Sequence, residues 1–192
     1  MSDSGGSRRN DGMNAAASAD LVGQTLPVTA ARFCEQYAVA VCRFAAMAAR
    51  TPSEADDIAQ EALLRAVRGL SSFDTRRGSI EAWLWRIVAN VAHDHQRAER
   101  RRFALWTRLS GFWDSPAESA ESLALDRIDS SRLLEAVREM PPRGRTLLAL
   151  RFGADLDLRA VGLALGMSEA TAGTAVRRAL EKLRIALEVT PT

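Results

Sequence analysis

The sequence predicts an all-α protein with two helical domains joined by a flexible linker. Apolar residues recur at three- and four-residue intervals, which is the period of an amphipathic helix. No segment shows the apolar/polar alternation of a half-buried strand, and there is no glycine-rich phosphate loop. We expect a disordered tail over 1–28, a first domain over 29–102, a linker over 103–125 and a second domain over 126–192.

Composition narrows the class of protein further. A hydrophobic content of 47% is normal for a globular chain, so wholesale disorder is excluded. No stretch approaches the roughly 18–20 apolar residues of a membrane span, and the N-terminus does not resemble a secretory signal. Cys34 and Cys42 stand eight residues apart in a helical pattern, about 12 Å along the axis, which is too far for a disulfide. We therefore expect a reduced cytoplasmic protein.

Three helices are predicted in the first domain. Thr51 is placed to cap the second of them, because Pro52 occupies its first position and Glu54 stands three residues after the cap. A loop over 70–78 follows, and Ser79 is placed to cap the third helix. The predicted ranges are 33–49, 52–69 and 79–102.

Four helical segments are predicted in and before the second domain. The prolines of Met140-Pro141-Pro142 end the first of them, and Gly166-Met167-Ser168 separates the last two. These last two helices have the spacing of a helix-turn-helix, in which Ser168 would cap the second helix. An ordinary helical hairpin within a bundle has the same spacing, so both interpretations stay open. The predicted ranges are 123–139, 143–152, 156–165 and 169–187.

Two charged clusters lie in the first domain. The acidic cluster of Glu54, Asp56, Asp57 and Glu61 is either a solvated face or a protein-docking surface, and metal binding is disfavoured because no histidine or cysteine joins it. The second cluster lies over 86–108, where six arginines face two carboxylates, for a net charge of +4. Such a patch attracts a phosphate backbone, although a solvated helix end is the simpler alternative for one or two of these arginines.

No residues form a recognisable catalytic arrangement. His93 and His95 stand two apart, so on a helix they point about 200° away from each other and cannot hold one metal ion. No combination of Ser, His and Asp or of Cys and His can be nominated. We therefore expect no enzymatic activity, no metal, no cofactor and no small-molecule substrate.

In their order along the chain, these motifs resemble the sigma-70 family of RNA polymerase initiation factors, in its compact extracytoplasmic-function group. The run over 54–66, Glu-Ala-Asp-Asp-Ile-Ala-Gln-Glu-Ala-Leu-Leu-Arg-Ala, is similar to the family's second conserved region, where an acidic helix docks on the polymerase clamp. The residues that this resemblance assigns to core polymerase are Asp56, Asp57, Gln60, Glu61 and Arg65.

The segments 73–79 and 82–87 resemble the family's loop and helix that open and read the −10 promoter element. A base drawn out of a duplex needs stacking partners and a basic channel, which aromatic and arginine side chains supply. Trp83 is expected in the core, on the side of Ile87. The resemblance assigns to the −10 element Phe73, Asp74, Arg76, Arg77, Ser79, Trp85, Arg86, Asn90, Arg97, Arg100 and Arg101.

The segment 134–187 resembles the family's fourth region, whose last helix reads the −35 element in the major groove. Here the chain departs from the family, because Ala170, Gly173 and Ala175 stand where basic or polar residues are usual. A glycine also costs about 1 kcal/mol of helix stability relative to alanine. Base reading is therefore expected to be weak, or phosphate contacts to dominate. The residues assigned to the −35 element are Ser168, Glu169, Thr171, Thr174, Arg177 and Arg178.

The resemblance implies a factor that binds core RNA polymerase and directs promoter recognition, melting and transcription initiation. Its implied partners are core polymerase, promoter DNA and an anti-sigma factor. The alternative is a polymerase-independent helix-turn-helix regulator whose first domain binds an effector or dimerises. That alternative accounts for the second domain but leaves the acidic run and the arginine run of the first domain without a function.

Overall fold

The computed structural model describes residues 29–109 and 128–189. The predicted tail over 1–28 and most of the predicted linker lie outside the described residues. Within the described ranges every regular element is helical and no strand is found, which confirms the all-α prediction.

The described part of the N-terminal domain contains three α-helices and, within the predicted loop over 70–78, two short 3-10 helices, Leu70–Ser72 and Thr75–Arg77. Thr51 Oγ1 accepts a hydrogen bond from Glu54 N at 3.1 Å, and Ser79 Oγ accepts one from Ala82 N at 3.1 Å, so both predicted caps are confirmed. The third helix runs seven residues past its predicted end at Arg102, because the chain has no glycine or proline before Gly111 to stop it. The helices are α1 (Ala30–Ala48), α2 (Pro52–Gly69) and α3 (Ile80–Leu109).

The described part of the C-terminal domain contains four helices and one π turn. The predicted helix over 143–152 is shorter than expected, because its last turn widens so that Ala154 N bonds to the carbonyl oxygen of Ala149 at 2.8 Å. Gly166 ends the next helix at φ 67°, a left-handed conformation that favours glycine. The elements are α4 (Ile128–Glu139), α5 (Pro142–Leu148), the π turn (Ala149–Gly153), α6 (Leu158–Leu165) and α7 (Glu169–Val189).

The two domains pack against each other. α1 and α3 of the N-terminal domain contact α5, the π turn and α6 of the C-terminal domain. One apolar core runs through both, and it includes Phe44 and Leu84 from the first domain with Leu150 and Val161 from the second. A smaller cluster around Val137 holds α4 against α5 and α7. The sequence predicts the two domains but not this contact between them.

Candidate protein and nucleic-acid interface

The acidic side of α2 forms the first candidate surface. Asp56, Asp57, Gln60 and Arg65 are exposed, and Glu61 is half-buried. Beside them lies Leu64, an apolar side chain that is 48% exposed. An exposed leucine bordered by charged groups is typical of a surface that binds another protein. We call these residues the α2 surface, which consists of Asp56, Asp57, Gln60, Glu61, Leu64, Arg65 and Arg68.

Glu61 is held in place by groups from two helices. Its Oε2 lies 2.7 Å from His95 Nε2 on α3, and its Oε1 accepts a hydrogen bond from Arg65 Nη2. Arg65 also reaches Asp94 Oδ2 on α3, at 3.3 Å. The hydrogen bond from His95, and then the hydrogen bond and the positive charge of Arg65, lower the pKa of the Glu61 carboxyl. Asp57 and Gln60 are therefore the more exposed contacts, while Glu61 braces α2 against α3.

His95 is a site residue that sequence reasoning missed. The helical spacing excluded a shared metal site with His93, and the described residues contain no group of three metal-ligating side chains. Helical spacing does not show that His95 contacts the carboxylate of Glu61, which is 34 residues earlier in the chain. Only the packing of α2 on α3 brings the two side chains together.

The loop before α3 is organised by a carboxylate and an aromatic pair. Asp74 Oδ1 accepts hydrogen bonds from Arg76 N and Nε at 3.0 and 3.1 Å, and these bonds lower the pKa of Asp74. The ring of Phe73 lies 5.3 Å from that of Trp83. Arg76 projects into solvent, whereas the side chain of Arg77 lies outside the described residues. Ser79, assigned to the −10 element, is engaged as the cap of α3.

Trp83 and Trp85, near the start of α3, both pack on the core, and Trp85 is the more deeply buried. Trp85 is only 3% exposed and packs 6.1 Å from the ring of Phe44, so in this conformation it cannot stack on a base. It lies on the same side of α3 as Gln96, eleven residues later, which contacts the C-terminal domain. Trp83, expected in the core, is half-buried and packs against that core, with its ring 6.5 Å from that of the buried Phe33 and 5.3 Å from that of Phe73. The prediction for Trp85 is therefore wrong for this conformation.

A row of exposed polar and basic side chains lies along the outer side of α3. Helical spacing of three, four and seven residues places its members on one face. All five are exposed, as the predicted role requires. We call this row the basic stripe, and it consists of Arg86, Asn90, Arg97, Arg100 and Arg101.

The start of α7 presents few groups that could read bases. Ser168 Oγ accepts a hydrogen bond from Thr171 N at 3.2 Å and lies 2.8 Å from Thr171 Oγ1, so both hydroxyls serve the predicted cap. Glu169 is exposed and Thr174 half-buried. Arg177 and Arg178, one turn later, are exposed.

Gly173 lies at a close contact between α6 and α7 that the sequence does not show. A Cβ at this position would lie 3.2 Å from Leu158 Cδ1 on α6, which is a tight contact. A side chain at this position, in the second turn of the predicted recognition helix, therefore requires Leu158 to shift by a few tenths of an ångström.

Comparison with known proteins decides the family. The sigma-70 region 2 model matches residues 33–102, and the sigma-70 region 4 model matches residues 130–183. The RNA polymerase sigma factor SigV of Bacillus subtilis is 30% identical over 140 residues, which cover 72% of this chain and 78% of SigV. The chain belongs to the sigma-70 family.

The chain is also similar to proteins that are named extracytoplasmic-function (ECF) sigma factors. SigW of Bacillus subtilis is 29% identical over 143 residues, covering 68% of this chain and 74% of SigW. BldN of Streptomyces coelicolor is 28% identical over 152 residues, covering 79% of this chain. The match spans 58% of the length of BldN.

Solved structures share the fold of this sigma-70 family member. The sigma factor RpoE from Bartonella quintana, in complex with the anti-sigma factor NepR, matches with a TM-score of 0.62 and 20% identity over 84% of this chain and 98% of that one. CnrH, in complex with the cytosolic domain of CnrY, matches with a TM-score of 0.60 and 18% identity over 93% of this chain and 98% of that one. Among the described residues, no helix is long and apolar enough to cross a membrane.

Proposed function

We propose that the chain is a sigma factor that binds core RNA polymerase and directs promoter-specific DNA recognition, melting and transcription initiation. The observation that carries this proposal is the pair of family matches, region 2 followed by region 4. Within region 2, an acidic protein-docking surface and a basic stripe lie on adjacent helices. A factor that bridges a protein and DNA needs both.

Core polymerase binds the α2 surface in this proposal. The exposed carboxylates of Asp56 and Asp57 meet a basic face of the clamp, and Leu64 supplies the apolar contact. Glu61, braced by His95 and Arg65, sets the position of α2 relative to α3. The charged network thereby joins the helix that binds polymerase to α3, the helix that carries the basic stripe.

The −10 element binds the loop at 73–79 and the basic stripe. Phe73 and Trp83 offer the partly accessible aromatic surface on which an unpaired base can stack, in place of the buried Trp85. Arg86 and Asn90 follow on the exposed side of α3, and Arg97, Arg100 and Arg101 hold the phosphates. The −35 element binds α7, chiefly through phosphate contacts of Arg177 and Arg178.

The remaining assignments follow from the family. An anti-sigma factor is the proposed regulatory partner, as NepR is named for RpoE of Bartonella quintana. The chain acts where polymerase acts, in the cytoplasm, as an initiation factor and not as an enzyme.

Reconstituted transcription tests the proposal. The purified chain is added to core polymerase, and run-off products are measured from a promoter bound by the holoenzyme. We expect promoter-dependent transcripts only when the chain is present. Sequence-specific duplex binding by the chain without any affinity for core polymerase would instead favour the polymerase-independent regulator.

Substitutions in the α2 surface test the site. Asp57→Ala is expected to weaken core binding about tenfold, because it removes an exposed charge from a protein–protein contact. The matched control is Glu35→Ala, which removes an exposed carboxylate from α1, outside the α2 surface. Equal core affinities of the two variants, measured by fluorescence anisotropy, would show that the surface is wrongly placed.

A further inference from the structure

A groove runs along the side of α7 that is proposed to meet DNA. Its volume is about 610 Å³, and it lies between the start of α6 and the first turns of α7. Several of its residues are exposed, so it is open to a large ligand such as duplex DNA. The groove is lined by Leu158, Glu169, Ala170, Gly173, Thr174 and Arg177.

The floor of the groove is hydrocarbon. Leu158 is half-buried and packs against the main apolar core, which holds its side chain in place. Its Cδ1 lies 3.2 Å from the point at which a Cβ of residue 173 would stand. Ala170, one turn before Gly173 on α7, adds a methyl group. Since the side chains of these residues have no hydrogen-bond donor or acceptor, the floor can contact only an apolar feature of a base.

The groove also allows the backbone of α7 to approach a base edge closely. Ala170, Gly173 and Thr174 lie three and four residues apart, so they share one side of the helix. Gly173 has no side chain to hold a base edge away from the helix. Ala170 and Thr174 are separated by about 6 Å along the helix axis, and stacked base pairs by about 3.4 Å. The groove therefore spans the edges of about two base pairs.

Thymine is the base whose major-groove edge matches this lining. It carries a C5-methyl group, and alanine and the methyl group of threonine are typical apolar contacts for it. The other bases present hydrogen-bond donors and acceptors without a methyl group. Over a hydrocarbon floor those polar groups would lose their partners, which costs free energy. The groove thus favours thymine and disfavours the other bases.

Charged groups stand at the two ends of the groove. Glu169 and Arg177 are eight residues apart, about 12 Å along the axis of α7, and both are exposed. A phosphate is attracted to Arg177 and its neighbour Arg178 and is repelled by Glu169. The DNA backbone is therefore held at the arginine end, which leaves the apolar floor to face the base edges.

We propose that the groove of α7 binds the C5-methyl groups of one or two thymines in the −35 element, through Leu158, Ala170 and the methyl group of Thr174. This inference rests on the proposed function and deepens it. The arginines of α7 supply affinity for the phosphates of any sequence, and the methyl contacts select among sequences. Selection by α7 therefore needs no polar side chain at the start of the helix.

Removal of methyl groups from the DNA tests the inference. The holoenzyme is first used to select promoters from a library randomised over the −35 element, and we expect thymine to be enriched at one or two adjacent positions. Each enriched thymine is then replaced by uracil, which deletes the methyl group and keeps every hydrogen-bonding group. We expect each replacement to weaken holoenzyme binding about fourfold, the effect of one buried methyl group. Uracil in the spacer between the two promoter elements is the control and should leave the affinity unchanged.

Two matched variants of Thr174 test the protein side of the contact. Thr174→Val keeps the methyl group and replaces the hydroxyl, whereas Thr174→Ser keeps the hydroxyl and removes the methyl group. Valine, serine and threonine have similar helix propensities, so both variants should fold. We expect the ratio of the affinities for the thymine and uracil promoters to be retained in Thr174→Val and to fall in Thr174→Ser.

The possible results separate the inference from the proposed function. Binding that depends on the −35 element but is equal for thymine and uracil would overturn the methyl contact and leave the proposed function standing. An equal affinity ratio in the two Thr174 variants would also overturn it. If the chain bound the selected duplex with the same preference for thymine but had no affinity for core polymerase, the proposed function would fail while the methyl contact stood.

Discussion

The basic stripe of α3 and the start of α7 are both proposed to face DNA, yet they differ sharply in chemistry. α3 is a 30-residue helix whose exposed side carries Arg86, Asn90 and three further arginines. α7 begins with small residues and reaches its first two arginines, Arg177 and Arg178, only in its third turn. From this difference we expect electrostatic affinity for DNA to be concentrated in the N-terminal domain. Near the start of α7, close packing against Leu158 instead limits the size of the side chain at Gly173.

The largest effect is expected from removing the end of the basic stripe. Arg97→Ala, Arg100→Ala and Arg101→Ala together should weaken promoter binding by the holoenzyme more than tenfold, because three phosphate contacts are lost. The slope of log K against log salt concentration should become shallower by about three. Binding titrations at several salt concentrations measure both, with Arg32→Ala, an exposed arginine on α1, as the control. An unchanged slope would remove these arginines from the DNA contact.

A smaller effect is expected from the two arginines of α7. The double variant Arg177→Ala with Arg178→Ala should make the slope of log K against log salt concentration shallower by about two. The loss of affinity should be the same for every −35 sequence. The measurement compares a panel of promoters that differ only in that element. If the loss depended on the sequence of the element, these residues would be reading bases, and the contrast between the two helices would be weaker than proposed.

The packing of Gly173 can be tested by stability. Gly173→Ala gains helix propensity, but Leu158 must shift by a few tenths of an ångström, so we expect a net stabilisation of less than about 1 kcal/mol. Thermal unfolding measures it, and Ala170→Gly at an exposed position of α7 is the matched control, which should lose about 1 kcal/mol. A marked destabilisation by Gly173→Ala would show that Leu158 cannot move.

The smallest effect concerns the pH dependence of the α2–α3 contact. Because the folded state lowers the pKa of Glu61 from its ordinary value of 4.5, this carboxylate stabilises the fold above that pH. The contribution is lost as pH falls below about 4.5 and through the folded-state value. The stability difference between the wild type and Glu61→Gln, measured by denaturant unfolding, should therefore shrink as the solution is acidified.

The partner of Glu61 supplies the control for that measurement. His95→Ala removes the largest cause of the lowered pKa of Glu61. In that background, Glu61→Gln should therefore change the free energy of unfolding at neutral pH by less than it does in the wild type. His95→Gln keeps an amide donor and should retain part of that change. If His95→Ala left the pH dependence of unfolding unchanged, the bond between His95 and Glu61 would not form in solution.

Local features were predictable because their causes are local. The caps at Thr51, Ser79 and Ser168 each depend on a hydrogen bond to a residue three positions later. Helical period likewise identified the helices of both domains. The end of α3 was placed too early at Arg102, because an arginine run resembles a helix terminus although nothing in it stops a helix.

By itself, the sequence determined the helical class, the order of the two domains and the motifs that carry the family resemblance, since each depends on residues within a few turns of one another. Tertiary structure alone decided that Trp85 is buried, that His95 holds Glu61, and that Gly153 lies against α1. The physical reason is that helical period shows which residues share a side of a helix. It does not show whether water, a neighbouring helix or another domain covers that side.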